Sequence, residues 1–394
     1  VVRIKRPQYL RQLLLAALAI GSLTSAAEAA PVADCPLAKQ PYSTQSPLLD
    51  LMLNPAAKAV VERVSPGMLD KLPPIMSSTT VPSFGAIISL RTLSAMLGMA
   101  TDSLAPMDRQ LAAVPVTAAD SAARCARYDH RQPKLPALIK RPALLVFDKI
   151  TGFRDQPSVD AAKAALKSMA ERRGWTLVFS DNGAVFNARD LKRFDAVVWN
   201  NISGDVLTVP QRAAMKRYIE AGGGFAAFHG SAGDPDYYWD WYVDTLIGAR
   251  FKGHPMWPQF QSAKVVVQDT GSAITAGLGS GWDMTEEWYS FKTTPRARGA
   301  HVLVTLDEST YQLVGRMQPG MPEADLRMGD HPLAWTQCIG KGRSFYSAIG
   351  HRPESYTEAH SAQLLEQGIA WAAGLGSTRC KAGRVVRTGS CGIC

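Results

Sequence analysis

From Pro142 onward the sequence alternates short, wholly apolar runs with stretches of helical periodicity, and that alternation leaves few folds open. Ala143-Leu144-Leu145-Val146-Phe147 has no polar position, as expected of a strand covered on both faces. Pro157 then opens a predicted helix in which Val159, Ala162, Leu166 and Met169 share a face, and Gly174 ends it. Thr176-Leu177-Val178-Phe179 and Ala196-Val197-Val198-Trp199 read as the second and third strands. Thr208 and Gln211 form a Thr-x-x-Gln capping box ahead of Met215, Tyr218 and Ile219, with Gly222 as the stop. Gly224-Phe225-Ala226-Ala227-Phe228 is the fourth strand. Strands joined by helices of this length need right-handed crossovers. The expected fold class is therefore α/β, with a doubly wound, mostly parallel sheet.

Sites on such sheets lie beyond the carboxyl ends of the strands. The residues there are Asp148-Lys149, Asn200-Asn201 and His229-Gly230-Ser231. Phe228-His229-Gly230 has the strand-to-turn layout of a nucleophile elbow, but with an imidazole at the apex instead of Ser or Cys. A late apolar run, Phe345-Tyr346-Ser347-Ala348-Ile349, leads in the same way into Gly350-His351-Arg352. Glu286 and Glu287 are neighbours, and neighbours on a strand point to opposite faces. Glu287 is expected to face the site and Glu286 to face solvent or an arginine.

Residues from about 142 to 374 resemble a ThuA-like (trehalose utilisation) domain, whose fold is similar to class I glutamine amidotransferases. The resemblance is carried by Gly222-Gly223-Gly224-Phe225 through His229-Gly230, by Trp239-Asp240-Trp241-Tyr242, and by Gly248-Ala249-Arg250-Phe251. Gly253-His254-Pro255, Glu286-Glu287-Trp288-Tyr289, Asp330-His331-Pro332 and Gly342-Arg343 through Gly350-His351 complete the ordered series. It implies that His351 keeps the place of a triad histidine while His229 stands where the amidotransferases hold their Cys. Without that thiol, glutamine hydrolysis through a thioester has no nucleophile. The chain departs from the family pattern in having Glu286-Glu287 where Asp-Glu is common. It also has Phe153-Arg154-Asp155 where relatives often place a His after the Arg. The family association with sugar catabolism, including oxidised keto-glycosides, implies cleavage by hydrolysis or elimination.

These readings name His229, Glu287 and His351 as the candidate catalytic residues. Neutral imidazoles with a carboxylate are the ligands that zinc or a similar divalent ion takes, so His229, His254, Glu287 and His351 form the candidate metal set. The same groups can act as acid and base without a metal, and no nucleotide cofactor is expected. Arg154, Asp155, Asn200, Trp239, Trp241 and Tyr289 are the candidate substrate-binding residues. The last three belong to an aromatic crowd between Tyr237 and Tyr289 that either stacks on a small saccharide or packs as a shell. His301 and His360 read as structural or exposed, and His331 as a loop residue bonded to backbone. A different class of function, a sugar-binding or interaction protein on a degenerate amidotransferase-like fold, remains as the alternative.

The remaining sequence frames this domain. Residues 1–29 place basic side chains through Arg11 ahead of an apolar stretch, Leu13 to Ile20, and then small residues. That order is expected of a secretory signal peptide cleaved after Ala29, which implies a periplasmic or secreted protein with no membrane span after cleavage. Residues 31–140 lack Trp, whereas all nine Trp fall between Trp175 and Trp371. Leu49, Leu51, Val60 and Val61, with Leu90, Leu93 and Leu97 at helical spacing, suggest a small, mainly helical region closed by a linker at Gln132-Pro133-Lys134-Leu135-Pro136. Residues 141–374 are the α/β domain, and 375–394 a basic tail. Of the net charge of +9, Arg3, Lys5, Arg6 and Arg11 against Glu28 supply three units, and Arg379, Lys381, Arg384 and Arg387 four. With so little positive charge left between the ends, a nucleic-acid partner is not expected. In an oxidising compartment Cys35 and Cys125 could bridge the helical region, while Cys380, Cys391 and Cys394 fall in the tail. Cys391-Gly392-Ile393-Cys394 has redox-motif spacing, but a structural tail disulfide is the simpler expectation.

Overall fold

A computed structural model describes residues 34–316 and 322–376. The expected leader, and the cysteines of the tail, lie outside the described residues. Among those residues no helix is long and apolar enough to cross a membrane.

The first segment is helical: α1 (Leu48–Leu53), α2 (Pro55–Val64), α3 (Pro74–Ser77), α4 (Leu90–Met96), α5 (Ala105–Ala112) and α6 (Ala118–Cys125). Its small core joins Leu48, Leu51, Val60, Val61, Leu90, Leu93, Met107 and Leu111 around Tyr42. Leu97 breaks the expected stripe, because α4 ends at Met96 and the side chain is exposed. A Cys35–Cys125 disulfide ties the start of the segment to the end of α6.

The α/β part then runs β1 (Ala143–Phe147), α7 (Gln156–Arg173), β2 (Thr176–Ser180), α8 (Ala188–Leu191), β3 (Ala196–Trp199), α9 (Val209–Glu220) and β4 (Gly224–Phe228). Every residue of β1, β3 and β4 is buried, as their unbroken apolar character requires. Helix α7 ends at Gly174, whose φ of 68° is open to glycine at no steric cost. The Thr208–Gln211 capping box forms at the start of α9, with Gln211 Oε1 accepting from the Thr208 amide at 3.0 Å.

Next come β5 (Phe251–Gly253), β6 (Phe260–Val267), β7 (Gly281–Glu287), β8 (Ser290–Phe291), β9 (His301–Leu306), β10 (Val314–Arg316), β11 (Glu323–Asp325), β12 (Pro332–Ile339), β13 (Gly342–Ser347) and α10 (Ala359–Ala372). The nine-stranded sheet has the order β2-β1-β3-β4-β13-β12-β9-β6-β7. Strands β2, β1, β3, β4 and β13 are parallel, and the pairings from β13 to β7 are antiparallel. The antiparallel half was not legible in the apolar alternation, because its strands are joined without crossover helices. Its alternating directions leave β7 pointing the same way as β4 and β13.

Two helical elements cover opposite faces of the sheet's centre. A Cβ on Gly224 would collide with α10 at Ala372, whereas the next residue, Phe225, meets Tyr242 in a π-helical turn, Trp241–Ile247. The helical segment seats on the loops beyond the strands: the Ser89 amide and Thr92 hydroxyl donate to Asp236, each at 2.7 Å, and the Ser83 amide donates to the Thr151 carbonyl at 3.0 Å.

Candidate functional site

Strands β4 and β13 are direct neighbours, with Phe228 opposite Ser347, so the residues following them emerge side by side. His229 turns out of β4 at a φ of 28°, a conformation uncommon for a residue with a Cβ and kept where surroundings over-determine it. Those surroundings are visible. Its ring Nδ1 lies 2.7 Å from the Ala348 carbonyl, its own carbonyl accepts from Tyr346 Oη at 2.9 Å, and Tyr289 stacks on the ring at 4.0 Å.

The third member arrives from the far edge of the sheet. Strand β9 pairs only with Val265–Val267 of β6, whereas β6 pairs with β7 from Phe260 onward, leaving the first half of this hairpin beyond the end of β9. At its tip Phe260 sits opposite Glu287. Glu287 Oε2 lies 3.1 Å from His229 Nε2 and 2.9 Å from His351 Nδ1, and the two ring nitrogens are 3.2 Å apart. The other oxygen, Oε1, accepts from Gln259 Nε2 at 2.5 Å and is 3.2 Å from His254 Nδ1. Glu287 is only 1% exposed.

Electrostatics follow from this enclosure. Burial by itself would raise the Glu287 carboxyl, but His254, His229 and His351 outweigh it and hold the group well below the ordinary carboxylate range. Burial pushes His254 down, and Glu287 only partly offsets that. For His351 burial acts downward as well, yet the Glu287 hydrogen bond and charge, with Asp155 behind, leave it raised. Asp155 Oδ2 is 3.6 Å from His351 Nε2, so the carboxylate standing where relatives often carry a histidine faces the site.

Counting protons tests whether a cation fits. A carbonyl only accepts, so His229 Nδ1 carries the ring proton toward Ala348, and Nε2 turns its lone pair toward a carboxylate oxygen. That space needs positive charge, either a proton or a metal ion. A zinc-like ion with bonds of about 2.0–2.2 Å sets its donors roughly 3.3 Å apart, a few tenths more than the three separations here. The donor atoms of His229, Glu287 and His351 all lie within 4.8 Å of one another, and the set suits a divalent ion with an open position. His254 stands beside this trio, steadying the other oxygen of Glu287, rather than within it.

The other expected residues divide. Arg154 Nε donates to Gln156 at 2.6 Å, and the Asp155 side chain accepts from Ser158, whose hydroxyl also reaches the His351 carbonyl. Asn200 is fully buried and donates to the Val159 carbonyl at 3.0 Å, which makes it a brace between β3 and α7. Trp239 and Trp241 lie against each other at 5.4 Å, under Arg212 and Lys216, and are not brought to the cluster. Tyr289 belongs to the site as the wall behind His229. Glu286 departs from expectation: it meets neither solvent nor an arginine side chain. Its oxygens accept from the amides of Gly350 at 3.0 Å, Arg352 at 3.2 Å and Glu287 at 2.8 Å, and from the Ser355 hydroxyl, anchoring the loop that presents His351. Gln259 and Phe260, whose ring meets that of His351 at 5.2 Å, were not anticipated, since only the hairpin register brings them there. His331 bonds the Tyr289 carbonyl at 2.9 Å and Glu308, while His301 and His360 pair with Asp269 and Glu358.

Comparisons with known proteins agree with this architecture. The ThuA family, described as trehalose utilisation, matches residues 143–372. A ThuA-like protein from Bacteroides uniformis ATCC 8492 superposes with a TM-score of 0.50 at 23% identity, over 61% of this chain and 95% of that one. A ThuA-like protein from Parabacteroides merdae ATCC 43184 gives 0.42 at 16% identity, over 61% and 93%. A cold-adapted β-galactosidase from Rahnella sp. R3 gives 0.36 at 14% identity, over 70% and 35%. The last two are too distant to support any inference. No curated protein matches the sequence.

Proposed function

The chain belongs to the ThuA, or trehalose utilisation, family, and on that premise we propose that it is an exported enzyme that cleaves a glycoside or keto-glycoside by hydrolysis or elimination. The observation that carries the proposal is the convergence of His229 Nε2, Glu287 Oε2 and His351 Nδ1 beyond the carboxyl ends of the sheet. The family and the donor set together favour a saccharide substrate and a divalent ion over amide chemistry. Export is supported by the leader-like order of residues 1–29 and by the Cys35–Cys125 disulfide, which suits an oxidising destination.

His229, Glu287 and His351 would hold the ion, with His254 and Gln259 fixing the other Glu287 oxygen. Such an ion, when bound, supplies Lewis acidity toward a sugar oxygen. The chain's own groups have separate tasks. In the metal-free alternative, Glu287 Oε2, kept ionised, accepts the proton leaving a sugar C–H or a water. In that same alternative His351, its pKa raised by Glu287 and Asp155, carries a proton at Nε2 that can pass to the departing glycosidic oxygen. In elimination the C–H electrons form the new double bond as the C–O bond breaks. In hydrolysis water supplies the hydroxyl instead, and the proton count is the same. Phe153, Trp257 and Phe260 are exposed at 40%, 69% and 41% on the loops carrying Asp155, His254 and Gln259, and offer flat apolar faces to a sugar ring.

The decisive experiment is a panel of glycosides and 3-keto-glycosides assayed with and without added divalent metal. His229→Ala should abolish turnover while leaving the melting temperature nearly unchanged. A fully active His229→Ala protein would sink the proposal, and saccharide binding with no product from any substrate would replace the enzyme with a binding protein.

A further inference from the structure

Among the described residues, two that are not glycine adopt a positive φ: His229 at 28° and Asn201 at 54°. A residue with a Cβ keeps such a conformation where its surroundings over-determine it, and Asn tolerates it better than most. Asn201 follows β3 and is buried beside the turn after β4, outside the trio of His229, Glu287 and His351. Its side-chain amide is what those surroundings grip.

Both ends of that amide are bonded. Oδ1 accepts from the Gly230 amide at 3.2 Å, and Nδ2 donates to Tyr356 Oη at 2.8 Å and to Asn200 Oδ1 at 3.1 Å. Tyr356 Oη in turn donates to the Gly350 carbonyl at 2.8 Å. A hydroxyl has one proton and the carbonyl only accepts, so Asn201 has to present its NH2 to Tyr356 and its oxygen to Gly230. Burial pushes the Tyr356 phenol above its ordinary range, which keeps that proton in place. A Cβ on Gly350 would stand 2.6 Å from Tyr356 Oη, so this close approach requires glycine there. The Gly350 amide then donates to Glu286 Oε2 at 3.0 Å.

The chain of hydrogen bonds from Gly230 through Asn201, Tyr356 and Gly350 to Glu286 therefore reaches the sequence neighbour of every member of the trio. Gly230 follows His229, Gly350 precedes His351, and Glu286 precedes Glu287. A reactive or ligating set works only when held within about 0.5 Å of its productive geometry, and backbone tied in this way carries the side chains beside it. On the reading of that trio as the reactive centre, we propose that Asn201 is a positioning residue. It sets the separation of His229 from His351 and touches neither substrate nor ion itself. Asn200, one residue earlier, braces α7 instead.

The test compares crystal structures of the wild type, Asn201→Gly and Tyr356→Phe, all without added metal. Glycine keeps the backbone conformation at position 201 at no steric cost and removes only the bridge. Phenylalanine keeps the Tyr356 ring and removes its hydroxyl. In both variants the distance from His229 Nε2 to His351 Nδ1, 3.2 Å in the wild type, should open beyond about 3.5 Å, the limit of a hydrogen bond. Zinc affinity, read by chelator competition, should fall about threefold to tenfold in each variant, less than the loss of a partner bonded to the ligand itself. It should fall no further in the double variant, because the two residues act through one chain. Unchanged cluster geometry in either variant, or losses of affinity that add in the double variant, would overturn the proposal. If Asn201→Gly does not fold, Tyr356→Phe carries the result. If the wild type takes up no zinc, the metal reading of the trio fails, and the geometric comparison still decides the role of Asn201.

Discussion

The cluster at the sheet rim and the Asp50–Arg124 pair of the helical segment both bury charge, yet they treat it in opposite ways. At the rim each oxygen of Glu287 has two close partners, and Glu286 beneath it is saturated by backbone and hydroxyl donors. In the helical segment one buried atom of Asp50 and two of Arg124 have no hydrogen-bond partner. A saturated network fixes its side chains at one geometry, which suits proton transfer or metal coordination. An unsaturated one carries the cost of polar groups taken from water without a partner.

Removing the disulfide should separate the two regions most sharply. Cys35 and Cys125 are 90 residues apart, and opening a loop of that size costs about 4 kcal/mol. Cys35→Ser/Cys125→Ser should therefore lower stability by that order and loosen the helical junction, while any divalent ion taken up at the proposed rim site is retained. Loss of both together would show that the regions are not independent. The next largest change is expected of Glu286→Ala, which strands the donors of Gly350, Arg352 and Ser355 in a buried loop and should cost about 3 kcal/mol. Denaturant unfolding measures it, and an unaltered midpoint would contradict the anchoring role.

Asp155→Asn should leave folding almost untouched and weaken divalent-ion binding at the proposed site about threefold to tenfold, through loss of a charge 3.6 Å from His351 Nε2. Chelator competition reads this directly, and unchanged affinity would detach Asp155 from His351. The smallest effect lies near the junction and depends on pH. Burial pushes the Asp234 carboxyl from 3.8 up to about 7, against hydrogen bonds from Ser203 and Gly204 and helped by Asp205 and Asp236. A proton held more tightly in the folded state stabilises the fold fully below 3.8, and that contribution is lost as pH rises through about 7. The melting temperature of Asp234→Asn relative to wild type should thus rise with pH across that window. The lost acceptor for the Gly204 amide limits the gain to about 1 kcal/mol. A difference that is flat with pH would place the Asp234 titration elsewhere.

Much of the parallel half is legible in the amino-acid order alone. Strands β1, β3 and β4 carry no polar position, and Gly174 and the Thr208–Gln211 box mark helix boundaries by local chemistry. His229 and His351 are also readable, because each follows an apolar run ending on the same rim. Asn200 shows the limit of that rule: it follows a strand too, but its amide turns inward to α7. Trp239 and Trp241 show another, since an aromatic side chain serves packing and sugar stacking equally well until its neighbours are known.

What the sequence determined by itself is therefore local: apolar runs that require burial on both faces, caps that start and stop helices, and an imidazole where an elbow nucleophile would stand. Tertiary structure alone decided which of the paired glutamates meets the histidines and what the other one holds. It alone brought Gln259 and Phe260 to the site, through the β6–β7 register, and turned Asp155 toward His351. Those outcomes depend on contacts between residues far apart in the chain, and side-chain pattern encodes the faces of an element but not the neighbour each face will find.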